Sequence, residues 1–413
     1  MLEVMRMRQK RIIAVLLLLI LSITLCGCGL SKRNLRIGVV ISDDLNEAYR
    51  QSCIDGVEKM RADMKLKDKQ IGIVENINLG NCYSQLTALI ESGCNIIIGF
   101  GTDIEDGLVQ AATEKPDVQF FMAYGMQATN GLANYHCFAP PDYQSRYIAG
   151  VAAGMKLNDL IKNGEITKDE AFLGYAAEFP DAESISAYTA FYLGAISVCE
   201  TAHMKVQYTY SDNDVSAEKK VVMALIANGC RLISKQSELS GAAVICAENN
   251  TYFVSWISDE KADAPDYYVT GTKINISPCL THIIDSILKK EFIPQQISIP
   301  PDDPNAYLSE INGNAFSDVN MLEEAQQKAT EAAQKLIDKS LYVFNTSSWT
   351  VAGERVETTA SEELYDTYLG VEYISDGRFM ENELSVSPKF EFRIDGITEL
   401  NYTEDYFSEI IGG

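Results

Sequence analysis

The sequence predicts an α/β protein with two similar lobes, because one strand–helix–strand pattern occurs twice. In the first copy, an apolar run at 96–100 is followed by a glycine-rich turn, apolar residues at helical spacing and a second apolar run at 118–124, which is typical of such a unit. Ser-Gly-Cys at 92–94 precedes this copy, and Asn-Gly-Cys at 228–230 precedes the second copy, 136 residues later. Strands that are apolar throughout indicate parallel sheets covered by helices on both faces.

The first strand of each lobe repeats the same spacing. Ile37-Gly38 opens one strand and Leu173-Gly174 opens the other. Ligands of open α/β sheets bind outside the carboxyl ends of the strands. Two such sheets side by side would therefore surround one shared cleft with these ends.

The first 27 residues have the composition of a secretory signal peptide. Basic residues at 6, 8, 10 and 11 precede an apolar run at 12–25. A helix needs about 20 apolar residues to cross a bilayer, and this run is about 14 residues long. Leu25-Cys26-Gly27-Cys28 resembles a bacterial lipobox, so we expect a lipidated N-terminus at Cys28. The alternatives are cleavage without lipidation and retention of the segment as an anchor.

The composition excludes some classes of protein. The formal net charge is −24, which disfavours nucleic acid as a partner because phosphate contacts are made mainly by Lys and Arg. An apolar content of 46% excludes a disordered chain. The acidity is typical of a soluble domain held outside a cell.

Cysteines and histidines give no indication of a metal or a cofactor. Eight cysteines follow Cys28, none in a CxxC pair, and the three histidines have no neighbour at ligand spacing. We expect buried free thiols, with disulfides as the alternative, and no zinc site.

Polar residues at the end of the first strand are the first candidates for ligand binding. Asp43 and Asp44 follow the strand, Asn46 has the position of a helix N-cap, and Tyr49 lies one turn into the helix. Carboxylates accept hydrogen bonds from hydroxyl groups, and an aromatic face stacks on a flat ring. A solvated turn with a core tyrosine is the alternative.

The turn after the third strand is a second candidate. Phe100, Gly101 and Thr102 offer backbone and hydroxyl groups at the start of a helix, where anions or ligand hydroxyls are favoured. Ile104 stands where a dinucleotide fingerprint would have its third glycine, so we exclude NAD binding.

The second lobe has a comparable strand end. Glu178 lies 136 residues after Ser42, and Phe179 follows it. We expect both to face the cleft; the alternatives are that Glu178 caps the next helix and that Phe179 lies in the core.

The expected organisation has six parts. A signal peptide at 1–27 and a tether at 28–34 precede the first lobe at 35–140. A crossing helix rich in small residues and the second lobe occupy 141–275, and a return helix and an outer helix at 276–340 complete the first lobe. Asp376-Gly377 and Asp395-Gly396 are hairpin signals, so we expect a β-rich extension at 341–413.

Four motifs resemble one known family: Tyr147-Ile-Ala-Gly-Val-Ala-Ala-Gly154, Gly174-Tyr-Ala-Ala-Glu-Phe-Pro180, Ala190-Phe-Tyr-Leu-Gly194, and Ala264-Pro-Asp266 leading to Lys273. They resemble the basic membrane protein family of bacterial lipoproteins. The resemblance implies a type I periplasmic-binding-protein fold and a role as the substrate-binding protein of an ABC transporter. Characterised members of the family are purine nucleoside receptors.

The resemblance also suggests roles for single residues. Tyr49 looks like the stacking phenylalanine of the family, Asp43 or Asp44 like its first carboxylate, and Lys273 like its late lysine. Phe179 or Trp256 would stack on the other face of the ring. Two carboxylates of the family are missing: Tyr124-Gly125 stands in place of one, and Ile257-Ser258-Asp259 has lost the first residue of Asp-Ser-Asp.

We therefore expect a lipid-anchored receptor that passes a nucleoside-like small molecule to an ABC permease. It would be a monomer on the extracytoplasmic face of the membrane. A surface sensor with the same lobes is the alternative, as is a receptor for a non-nucleoside solute. An enzyme is not expected, because GxSxG, P-loop and metal-spaced histidine motifs are absent from the sequence.

Overall fold

The computed structural model describes residues 31–128, 131–356, 365–366 and 371–402. The expected signal peptide, the first three residues of the tether and, among them, the lipidation site Cys28 lie outside these residues. In the described part, no helix combines the length and apolar character that a membrane span requires.

Two parallel six-stranded sheets form the two lobes, which confirms the predicted fold class. In both sheets the first strand of the lobe lies between its second and third strands, so the repeat in the sequence is a repeat in topology. The first sheet has the order β11-β5-β4-β3-β1-β2 and contains β1 (Ile37–Ser42), β2 (Ile71–Ile77), β3 (Ile96–Phe100), β4 (Gln119–Ala123), β5 (Tyr135–Phe138) and β11 (Gln296–Ile297). The second sheet has the order β10-β9-β8-β6-β7-β16 and contains β6 (Phe172–Ala177), β7 (His203–Tyr208), β8 (Leu232–Lys235), β9 (Tyr252–Ser255), β10 (Tyr268–Gly271) and β16 (Ile397–Glu399).

Helices cover both sheets. They are α1 (Glu47–Asp63), α2 (Cys82–Glu91), α3 (Glu105–Glu114), α4 (Asp142–Lys162), α5 (Ala182–Ile196), α6 (Val215–Ala227), α7 (Ala242–Glu248), α8 (Ser277–Lys289) and α9 (Val319–Ile337). Asn46 caps α1 as predicted, its Oδ1 accepting a hydrogen bond of 2.9 Å from the Tyr49 amide. Asp181 rather than Glu178 caps α5, with a bond of 2.9 Å from the Ser184 amide.

The crossing helix α4 is buried on nearly all sides. Its small residues allow α5 to approach closely, and Gly150 faces the backbone of Phe191 with no room for a side chain. This explains the pattern of alanine and glycine along α4 and confirms the close helix packing that the sequence predicts.

The outer helix α9 does not complete the first lobe as the sequence predicts. It packs on α4 in the second lobe, where Met321, Ala325 and Ala329 join the core, and not on the first lobe. Ser317 just before the helix donates through its amide to Asp159 of α4 at 3.1 Å. The alanine stripe fits this surface because small residues let two helices approach closely. The return helix α8 does join the core of the first lobe.

The segment after residue 341 is less regular than the β-rich extension that the hairpin signals predict. Its described strands are β12 (Tyr365–Asp366), β13 (Val371–Glu372), β14 (Ile374–Ser375), β15 (Arg378–Phe379) and β16. Asp376-Gly377 does turn the β14–β15 hairpin, but Asp395-Gly396 leads instead into β16, which pairs with β7 of the second lobe. An aromatic cluster packs described residues of this segment together. Phe344 is stacked on Phe390, with 4.2 Å between the ring centroids, and the edge of Trp349 contacts Phe390.

The eight cysteines from Cys53 to Cys279 are free thiols, and seven of them are buried.

Candidate functional site

A cavity of about 720 Å³ lies between the two lobes. The carboxyl ends of β1, β3 and β4 open into it from the first lobe, and the segments after β8 and β9 line it from the second. The start of α4 and part of the C-terminal segment complete the wall. The cavity therefore lies where the topology of the sheets predicts a ligand site.

Seven of the predicted binding residues line this cavity. They come from both lobes and are Asp44, Asn46, Tyr49, Gly101, Thr102, Tyr124 and Trp256.

Six predicted residues are not part of the cavity lining. Phe100 is fully buried in the core of the first lobe, because the side chain of the last strand residue points into the helix layer and not along the strand. Asp43 accepts a hydrogen bond of 3.1 Å from the Asn78 amide group, and the exposed Asp259 accepts one of 3.1 Å from the Lys261 backbone. Glu178 and Phe179 are half-buried outside the lining.

Lys273 also lies outside the cavity. Its side chain is exposed and its Nζ is 3.5 Å from the carbonyl oxygen of Asn305. The residue lies between β10 and α8, where the chain returns from the second lobe to the first. Its carbonyl oxygen accepts a hydrogen bond of 3.1 Å from Ser145 of α4, so the residue contributes to the connection between the lobes.

Asp142 supplies a carboxyl group beside Tyr124, where the resemblance implies an aspartate at the end of β4. The Tyr124 hydroxyl donates a hydrogen bond to Asp142 Oδ2. The rings of Tyr124 and Tyr49 pack edge to face, with 6.0 Å between their centroids and an angle of 66° between their planes. Burial raises the pKa of Asp142 to about 7, although the Tyr124 hydrogen bond and Arg146 oppose this shift. Asp142, the first residue of the crossing helix α4, thus places a carboxyl group near the end of β4, where the resemblance implies one.

Among the described residues that line the cavity, Arg146 supplies the one guanidinium, and it is only 1% exposed. Its guanidinium carbon lies 3.4 Å from the centroid of the Trp256 ring. Nη1 donates to the carbonyl oxygen of Lys235 at 2.7 Å, and Nη2 donates to Gln236 Oε1 at 3.3 Å. Its Nε has no partner among the described residues, which leaves one buried donor in a residue that lines the cavity.

Carboxyl groups outnumber this arginine. Glu183 and Glu238 also line the cavity. Burial raises the pKa of Glu238 to about 7, with Glu183 contributing, and burial likewise raises the pKa of Glu183. The site can accept hydrogen bonds from hydroxyl or amino groups, donate through Arg146 and pack against flat rings, but it disfavours phosphate.

Sequence reasoning missed Asp142, Arg146, Glu183 and Glu238. For Glu238 a signal existed, because it lies 136 residues after Thr102, the spacing of the repeat. For Arg146 the signal was a cation in a helix rich in small apolar residues, since such a helix is buried and a buried cation needs partners.

Comparison with known proteins places the chain among solute receptors. The model of the family described as PnrA-like ABC transporter substrate-binding proteins matches residues 34–341. A Haloferax volcanii protein provisionally named ABC transporter glucose-binding protein is 30% identical over 155 residues, or 38% of this chain and 36% of that protein. A purine-binding protein of Brucella abortus is 25% identical over 199 residues, or 48% of this chain and 53% of that protein. The chain thus spans between about a third and about half of these relatives.

Solved structures agree on the fold. An ABC transporter solute-binding protein from Conexibacter woesei superimposes with a TM-score of 0.58 at 15% identity, covering 75% of this chain and 98% of that one. A Bacillus halodurans protein described as a transcriptional activator of the comK gene gives 0.58 at 14% identity, covering 74% and 99%.

Proposed function

The chain belongs to the PnrA-like family of ABC transporter substrate-binding proteins, which work outside the cytoplasm and are not enzymes, and on this basis we propose that its ligand is a purine nucleoside. The ligand would be carried to an ABC permease, and Cys28 would hold the protein at the membrane surface through a lipid. Both partners follow from the family and from the lipobox, not from a contact in the structure.

The observation that carries the proposal is the pairing of aromatic rings and carboxyl groups around one cavity. Tyr49 from the first lobe and Trp256 from the second both line it. Stacking on an aromatic side chain contributes about 1 to 3 kcal/mol per base in single-strand binders. Because Arg146 covers Trp256, we propose that the ring stacks on Tyr49 and meets the Arg146–Trp256 pair from the other lobe.

The polar half of the ligand would bind to carboxyl groups. Asp44, Asp142 and Glu238 line the cavity, and each can accept hydrogen bonds from ribose hydroxyls. Several acidic groups against one arginine would repel a phosphate, so we propose a nucleoside and not a nucleotide. The names of the two relatives, one for a purine and one for glucose, suit a ligand that contains both a base and a sugar.

Calorimetry with adenosine, guanosine, inosine, their free bases, ribose and glucose tests this proposal. We expect heat of binding from at least one nucleoside, and weaker heat from its base and from ribose alone. Tight binding of glucose, with no heat from any nucleoside, would move the proposal to a sugar receptor. No heat from any of these compounds with folded protein would remove both ligand classes.

A further inference from the structure

A loop of the C-terminal segment lies against the cavity although it is outside the family-matched residues. We define the C-terminal loop as residues 382–388. Asn382, Val386, Ser387 and Pro388 all line the cavity, whereas the family model ends at residue 341. The ligand site of this chain is therefore larger than the part that the family shares.

The C-terminal loop is held in shape at its two ends. The buried carboxylate of Glu381 accepts hydrogen bonds from the backbone amides of Lys389 and Phe390, at 2.9 and 3.2 Å. Asn382 Nδ2 closes the loop from inside, donating to the carbonyl oxygen of Val386 at 2.7 Å. The loop is thus one unit that presents Val386.

The chain after the loop is fastened firmly to the second lobe. β16 runs parallel to β7, with Ile397 opposite Met204 and Glu399 opposite Val206. The side chain of Asn401 binds both the amide and the carbonyl group of Tyr208, at 2.8 and 2.9 Å. A change in the angle between the lobes would therefore carry the loop with the second lobe.

The contact between the loop and the first lobe is much smaller. Val386 is 2% exposed and packs in the first-lobe cluster that includes Val40 and Met122. Its amide donates to Gln296 Oε1 at 2.7 Å. This attachment consists of one apolar side chain and one hydrogen bond to a side chain, so it is weaker than the pairing of β16 with β7. It therefore breaks first when the lobes separate.

We propose that the C-terminal loop is a wall of the ligand site that latches the cleft shut through Val386. The loop travels with the second lobe and docks on the first lobe when the cleft closes. It thereby limits the size of the ligand at the side of the cavity formed by Asn382 and Ser387. The nature of that ligand, an uncharged ring compound, rests on the proposed function, but the latch itself does not.

Acrylamide quenching of Trp256 tests the latch without a ligand. The chain has two tryptophans, so Trp349→Phe leaves Trp256 in the cavity as the only one. In that background Val386→Asp puts a carboxylate into an apolar cluster, and we expect the quenching constant of Trp256 to rise about twofold or more as the cleft opens. Lys389→Gln is the matched control: it makes the net charge one unit more negative, as Val386→Asp does, at an exposed position outside the cavity lining, and should leave quenching unchanged.

Val386→Ala is the second variant, for the case in which Val386→Asp does not fold; a smaller rise in the same direction is expected. Equal quenching in the Val386 variants and in Lys389→Gln, with native circular dichroism, would overturn the latch. A purine nucleoside that binds the parent protein should also dissociate faster from Val386→Ala. Failure of every nucleoside to bind would end the proposed ligand class while the quenching result would still decide the latch.

Discussion

Gly194 of α5 lies directly against the backbone of Tyr147 on α4: a Cβ atom at residue 194 would be 2.9 Å from the Tyr147 carbonyl carbon and closer still to its oxygen. The two helices thus touch through their backbones. Gly194→Ala must push them apart, and overpacking of this kind costs about 1 to 3 kcal/mol. Chemical denaturation should show that the free energy of unfolding of Gly194→Ala is lower than that of the parent by this amount.

Gly72→Ala is the control for this prediction. At Gly72 the nearest atom to an added Cβ is 3.9 Å away, so the unfolding free energy should change by less than about 0.5 kcal/mol. Equal losses in the two variants would contradict the close contact between α4 and α5.

Removal of the Tyr49 ring should weaken ligand binding. Tyr49→Ala loses one stacking face, so we expect the dissociation constant for a purine nucleoside to rise about tenfold or more. Tyr49→Phe keeps the ring and should bind within about threefold of the parent. Calorimetry measures both, and an unchanged affinity in Tyr49→Ala would exclude stacking at this residue.

Arg146→Lys should impair binding without removing the positive charge. A lysine has no planar group to lie on Trp256 and cannot supply the Nη1, Nη2 and Nε donors in one plane. We expect the dissociation constant for the ligand to rise roughly tenfold. The wavelength of the Trp256 fluorescence emission should also shift. Arg36→Lys, which changes an arginine bonded to the backbone near residue 33, should leave both unchanged.

The carboxyl groups of the cavity should make stability depend on pH. Burial holds the folded-state pKa of Asp142 at about 7, against an ordinary 3.8. Between these values the folded protein binds more protons than the unfolded chain, so the free energy of unfolding falls as the pH rises from about 4 to about 7. Glu238, with a pKa of about 7, acts in the same direction.

Asp142→Asn should therefore be more stable than the parent at pH 8, by about 1 kcal/mol or more, and nearly equal to it at pH 4. Asparagine keeps an acceptor for the Tyr124 hydroxyl. Denaturation at the two pH values measures the difference, and parallel pH curves for parent and variant would show that Asp142 titrates normally.

The N-terminus provides a separate prediction. If Cys28 is the lipidation site, mass spectrometry of the membrane fraction should find a lipid-modified peptide that begins at Cys28. Cys28→Ala should release the protein from the membrane, whereas Cys26→Ala should not. A mature N-terminus at another residue would contradict the lipobox interpretation.

The sequence predicted the sheets well because their signal is local. Each buried strand is a short apolar run, and the repeat fixes which runs correspond; the cap at Asn46 is local as well. The prediction that α9 packs on the first lobe was wrong, because the sequence of an amphipathic helix shows which of its faces is buried but not which lobe buries it. β16 was missed for a similar reason, since a three-residue strand is specified by its partner β7 and not by its own pattern.

The binding site was predicted only in part, because some of its residues have a local signal in the sequence and others do not. Residues after the strand ends, such as Asp44 and Tyr49, could be found because topology brings strand ends together. Asp142 and Arg146 lie on a helix that passes the cleft, and their role depends on tertiary contacts with Tyr124 and Trp256 that have no local signature.

The pairing of β16 with β7 has a consequence for the order in which the protein can be completed. Strand β7 ends at Tyr208, and its outer edge is covered only when residues 397–399 arrive. During synthesis and export, about 190 further residues must emerge while that edge offers unpaired backbone groups to other chains. The second lobe therefore keeps an open sheet edge until late in synthesis, and a protein shortened before residue 397 should aggregate even if its ligand cavity forms.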